Sequence, residues 1–82
     1  MTRNAYAVTG TAWVDRTATD RRYRAALRLA TIHALRNARR LGYQPLGDTV
    51  VWQIHYVGPA ETCIHATIIA GPNPRILAAP HN

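Results

Sequence analysis

His55, Cys63 and His65 are the side chains of this chain best suited to ligating a metal or attacking a carbon centre. Folding residues 49–70 back as a hairpin, in the register that matches apolar with apolar, makes His55 and His65 cross-strand neighbours with Cys63 diagonal to His55. Histidine and thiolate are zinc ligands. The spacing fits no finger or ribbon and no fourth ligand follows, so the trio is expected to be ordinary half-exposed polar residues, with no metal and no other cofactor. Cys63 as a nucleophile would need a lowered thiol pKa and an oxyanion site, and the sequence supplies a signal for neither. Asp15, Asp20, Asp48 and Glu61 are scattered and form no general acid–base pair. No Gly-rich phosphate loop is present. No catalytic residue is assigned, and the protein is expected not to be an enzyme.

Charge is the next feature with chemical content. Ten basic side chains, all arginine, face four acidic ones, for a net charge of +6. Lysine and phenylalanine are both missing, which points to a GC-rich genome of the kind carried by actinobacteria and their phages. The alternative is selection of arginine for phosphate or carboxylate recognition. Either way the charge draws the protein towards polyanions. Arg21, Arg24, Arg28, Arg36 and Arg39 would share one helix side and form the nucleic-acid contact, whose binding must weaken with salt.

These groups must be held by elements that the pattern also defines. Residues 5–14 alternate as a strand, with Tyr6, Val8, Ala12 and Val14 on one face. Gly10 interrupts them, as at a bulge or a close backbone approach. Thr17, three residues before Asp20, is the expected helix N-cap. The helix is expected to run to about Leu41, with Gly42 as the left-handed residue after it and Pro45 preventing resumption. Arg39 and Arg40 then lie in its last turn. Residues 49–57 are the second strand, Gly58-Pro59-Ala60-Glu61 the turn and residues 62–70 the third strand, ended by Gly71-Pro72-Asn73-Pro74. The tail over 72–82, with three prolines, is expected to be extended or partly disordered.

The helix has two apolar sides. Tyr23, Ala26, Leu27, Ala30, Ala34, Ala38 and Leu41 form the stripe that packs on the sheet, the alanines allowing close approach. Leu29, Ile32 and Leu35 face the other way among arginines. Three large aliphatic groups together suggest a contact surface, the alternative being that arginine stems cover them.

In the hairpin, Val50, Trp52, Ile54 and Tyr56 are expected on the helix side with Ile64, Ala66, Ile68 and Ala70, and Trp52 and Tyr56 in the core. The other face carries Val51, Gln53, His55, Val57, Cys63, His65, Thr67 and Ile69, a mixed surface suited to an oligomer interface or a shallow ligand site. Trp13 lies opposite Tyr6 and Val8 and is a further contact candidate.

Eighty-two residues make one domain, with an ordered core expected over 5–71. A chain this short buries only about 60% of its unfolded surface, and oligomerisation is a common remedy. Cys63 is alone, so no internal disulfide forms, which fits a reducing compartment. No apolar run is long enough to span a membrane, and residues 1–14 lack the core of a signal peptide. A cytoplasmic location is expected, in the host cytoplasm if the source is a phage.

In outline the chain resembles dodecins, small flavin-binding proteins of β-α-β-β order that assemble into hollow oligomers. Val8-Thr9-Gly10-Thr11-Ala12 is similar to the end of their first strand, and residues 63–71 are similar in placement to their last. The resemblance implies the topology and, as a minor alternative, flavin or small-ligand storage. Dodecins stack flavin on a tryptophan just after the helix, where this chain has Gly42-Tyr43-Gln44-Pro45, and His65 stands near the place of their flavin-contacting glutamine. No binding residue is carried over.

The expected fold is therefore α+β, one long helix on a three-stranded, mostly antiparallel sheet in β-α-β-β order. The expected function is a self-associating, non-enzymatic interaction protein that binds a host or phage macromolecule, with a homo-oligomer and a protein as partners and no membrane. Leu29, Ile32, Leu35, Val51, Ile69 and Trp13 are the contact candidates. Nucleic-acid binding through the arginine face is the alternative.

Overall fold

The alternating stretch and the helical stripe become β1 (Tyr6–Asp15) and α1 (Asp20–Arg40), followed by β2 (Tyr43–Val57) and β3 (Glu61–Pro72), in a computed structural model that describes residues 5–73. The fold is α+β. One helix packs on a three-stranded antiparallel sheet of order β1-β3-β2, so the central strand is the last in sequence. The expected pairing of the first strand with the third is present, Val8 facing Ile68 and Ala12 facing Ile64.

The helix begins two residues later than its pattern suggested. Thr19, not Thr17, is the N-cap, its hydroxyl accepting from the Arg22 amide at 3.4 Å. Thr17 is already committed. Its amide and its hydroxyl both donate to Asp15 Oδ1 at 2.8 Å, closing an Asx turn directly after β1. Those two hydrogen bonds, the backbone one first and the hydroxyl second, hold the Asp15 carboxyl below the ordinary aspartate range, with Arg22 adding a smaller pull. A depressed folded-state pKa means that the turn contributes stability above the unfolded value of about 3.9 and loses it as pH falls through the folded value. The urea midpoints of wild type and Asp15→Ala should therefore differ by a constant amount at neutral pH and converge in acid. A gap that does not change on acidification would show that the carboxylate contributes nothing there.

At the other end, Leu41 and Gly42 donate back to Ala38 and Arg39, and Gly42 takes φ 75°. The chain then enters β2 at once, six residues earlier than the expected start at Thr49. The reason lies in β3, which runs on through Gly71 and Pro72 and gives Tyr43, Gln44 and Pro45 partners in Pro72, Gly71 and Ala70. Pro45 fits because β2 is an edge strand. The register shifts between Pro45 and Val50, where Gly47 has φ 95°. Of the expected extended tail, residues 74–82 lie outside the described residues.

The core is built from small side chains. Ala26, Ala30, Ala34 and Ala38 of α1 are buried against Val8 and Ala12 of β1 and Ile64, Ala66, Ile68 and Ala70 of β3. Gly10 is where the layers come closest. A Cβ there would lie 2.1 Å from the Ala34 nitrogen and 2.3 Å from the Ala30 oxygen. The interruption in the first strand is thus a close approach of helix backbone to strand backbone. Two members of the expected apolar faces are displaced. Leu41 is exposed, and Tyr43 packs against the cluster of Val8, Ala34, Ala38, Ile68 and Ala70 at that end of the core. Tyr6 is exposed as well and stacks on Tyr43, with 5.2 Å between ring centroids.

Candidate interaction surface

An α-helix with its side chains is about 10 Å across and strands are about 4.8 Å apart, so one helix covers about two strands. Here those two are β1 and β3, because Gly10 and the alanines let α1 settle over them. β2 is left out. Trp52, Ile54 and Tyr56 point to the helix side as expected, across from Ala66, Ile64 and Thr62, but they are not in the core: they are 45%, 41% and 66% exposed. Trp52 reaches the flank of the helix, its indole N–H shared between the Leu27 carbonyl at 3.3 Å and the Thr31 hydroxyl at 3.2 Å. Arg16 lies over the Tyr56 ring, 4.5 Å from its centroid.

The step between α1 and β2 forms a groove of about 590 Å³, lined by Leu27, Ile32, Leu35 and Trp52 with Thr31 on its floor and Arg24 and Arg28 on its rim. Two of the three outer helix aliphatics, Ile32 and Leu35, thus join an apolar surface that continues onto the sheet. Leu29 is exposed and lies outside it. Arg21, Arg24, Arg28, Arg36 and Arg39 are distributed along the same helix, and the groove rim takes two of them.

The open face of the sheet is apolar at its ends and polar between. Trp13 is 57% exposed and sits opposite Cys63 at one end; Val51 and Ile69 are exposed towards the other. Thr9, Thr11, Gln53, His65 and Thr67 lie between them, with Thr9 bonded to Thr67 and Thr11 to His65, both at 3.1 Å. The histidine–cysteine trio is arranged differently from expectation. His55 is directly opposite Cys63 and His65 opposite Gln53, so the two imidazoles are diagonal, 5.2 Å apart and edge to face. Cys63 is buried, with its sulfur 3.6 Å from His65 Nε2. Among the described residues no group of three His, Cys, Asp or Glu side chains is placed to hold a metal ion. The acids are less scattered than expected, since Asp15 and Glu61 face each other across β1 and β3.

The two outer edges of the sheet differ in kind. Along β1, the imidazole Nδ1 of His33 donates to the Thr11 carbonyl at 2.7 Å and the Asn37 amide donates to the Thr9 carbonyl at 2.8 Å. Both donors come from α1, which overhangs the strand. They occupy hydrogen-bonding groups that would otherwise be offered to a passing strand. Arg36 and Arg40 border the same edge, around a polar hollow of about 350 Å³. Along the 50–57 half of β2 none of the described hydrogen bonds plays this part. Sequence reading weighed the faces of the elements and missed the edges; the signal was His33 and Asn37, two polar residues flanking Ala34 in the packing stripe.

No helix among the described residues is long and apolar enough to cross a membrane. No family model, curated protein or solved structure matches the chain.

Proposed function

We propose that this chain is a small, basic, non-enzymatic interaction protein that self-associates and in that state binds a host or phage macromolecule. The observation that carries the reading is the strand that α1 leaves uncovered, β2. Trp52, Ile54, Tyr56, Val51 and Val57 are all at least 41% exposed on β2, while the largest fully buried side chains among the described residues are only Ile64 and Thr62. A domain with so small an interior, and with large apolar groups left outside it, gains most by covering them with another molecule. Burying each large aliphatic or aromatic group contributes about 1.5–3 kcal/mol. Repulsion between copies at +6 opposes this and weakens as salt is added.

Sedimentation velocity over a range of protein and salt concentrations tests the reading. Dimers or larger species are expected, and more of them at physiological ionic strength than in dilute buffer. A strict monomer at every concentration removes self-association. Polyanion binding by the arginine face is the second reading, supported by Arg21, Arg24 and Arg28, which outnumber the one carboxylate, Asp20, around one hollow of α1. Adding a duplex or single-stranded oligonucleotide to the same samples separates the two. Affinity that falls steeply with salt supports it, and no complex even in dilute buffer removes it.

A further inference from the structure

We propose that two copies of this chain pair antiparallel through the 50–57 half of β2, with a two-fold axis at Ile54, to form one continuous sheet from the two three-stranded ones. The proposal rests on the self-association reading and names its surface.

Three observations carry it. First, α1 side chains occupy the outward carbonyls of Thr9 and Thr11 on β1, whereas among the described residues no such side-chain bond covers the 50–57 half of β2, so β2 is the more receptive edge. Secondly, that half lacks the usual protection of an edge. Residues 49–60 hold no Asp, Glu, Lys or Arg, and Pro45 and the register shift lie before Val50. Thirdly, the sequence matches itself when reversed about Ile54. Trp52 falls opposite the second copy's Tyr56, Ile54 opposite Ile54, Gln53 opposite His55 and Val51 opposite Val57. Every pair is apolar with apolar or polar with polar, on both faces of the sheet. Moving the axis one residue to Gln53 sets Val51 against His55, and moving it to His55 sets Gln53 against Val57.

Backbone direction agrees with this axis. The carbonyls of Thr9 and Thr11 point out from β1, since α1 side chains reach them. Their partners Thr67 and His65 therefore turn their own N–H and C=O groups towards β2, where they meet Val51 and Gln53. Alternation then points the groups of Trp52, Ile54 and Tyr56 outward. Those three residues form the pairs Trp52–Tyr56, Ile54–Ile54 and Tyr56–Trp52, which exchange about six hydrogen bonds in all.

The register gives a direct test. Positions 51 and 57 are about 20 Å apart along one strand but about 5 Å apart across the two-fold axis. Full-length Val51→Lys/Val57→Lys places like charges opposite each other twice, whereas Val51→Glu/Val57→Lys places opposite charges there. Both residues are exposed, and position 57 faces Glu61 of its own chain in either variant, so circular dichroism should report the wild-type fold for both. Sedimentation equilibrium should show self-association on the order of tenfold weaker for the double lysine than for the Glu/Lys variant. Leu29→Lys/Leu41→Lys carries the same added charge away from β2, at one exposed position of α1 and at its exposed C-cap, and should stay associated as wild type does. If wild type associates but the two β2 variants associate alike, or if Leu29→Lys/Leu41→Lys is the one that dissociates, the β2 pairing is overturned while self-association stands. If wild type does not associate, both are overturned.

Discussion

Gly10→Ala should destabilise the domain by at least about 3 kcal/mol, a large effect for a single methyl group. The added Cβ would meet Ala34 N at 2.1 Å, Ala30 O at 2.3 Å and His33 C at 2.6 Å. All three are main-chain atoms of α1, which no rotamer change can move aside. The helix would have to lift from β1 as a body, thinning the contacts of Ala26, Ala30, Ala34 and Ala38 with both strands. A domain of this length has a total stability of only about 4–12 kcal/mol, so a sizeable unfolded fraction is expected on warming. Urea denaturation followed by circular dichroism measures the loss. Because the obstruction is backbone, Ala34→Gly should not rescue Gly10→Ala. A wild-type midpoint for Gly10→Ala would mean that helix and strand do not touch here.

Ile64→Ala should cost about 2–5 kcal/mol, as for other buried aliphatic truncations. Ile64 is fully buried on the central strand, between Ala12 of β1 and Ile54 of β2 and beneath Ala26 and Ala30. Ala12, Ala26 and Ala30 are too short to fill the vacated space, and Ile54 is held in register by strand pairing, so the space should not collapse. Ile54, its direct partner on β2, is 41% exposed. Ile54→Ala should cost about 1 kcal/mol in dilute solution, and more as protein concentration rises if β2 is covered by a second copy. Equal and concentration-independent losses at the two positions would show that β2 is as well covered as β3.

The topology and strand pairing were legible because each rests on a strong local signal. Alternation, a helical period closed by Gly42, and a Gly-Pro turn leave few arrangements for so short a chain. The facing of the hairpin was legible for the same reason, since a slip by one residue would turn a histidine towards the helix. Boundaries were less so. Thr17 and Thr19 are equally good caps by type, and only the competing bond to Asp15 decides between them. Residues 43–48 fall between the expected helix end and the expected strand start, and only the overrun of β3 shows that Tyr43, Gln44 and Pro45 are paired. The surface was misjudged at Trp52 and Tyr56, whose alternation with Val50 and Ile54 says which side they face but not what lies over that side. That depends on where a helix two strands wide comes to rest. Gly10 held the answer, because the one residue in the first strand without a side chain marks where the alanine stripe must sit.

The stopper on β1 has a consequence for growth. A sheet with two receptive edges has no natural end. Each added copy exposes a fresh edge like the last, and the product is a fibre whose length is set by supply. A sheet with one receptive edge terminates at its first addition, because joining two such edges uses up both. If the proposed strand pairing forms, the polar pair His33 and Asn37, hydrogen-bonded to the carbonyls of Thr11 and Thr9, would set an upper bound on its growth. In the proposed pairing it would let this chain carry an exposed strand half without charged residues and still not become the repeating unit of a polymer.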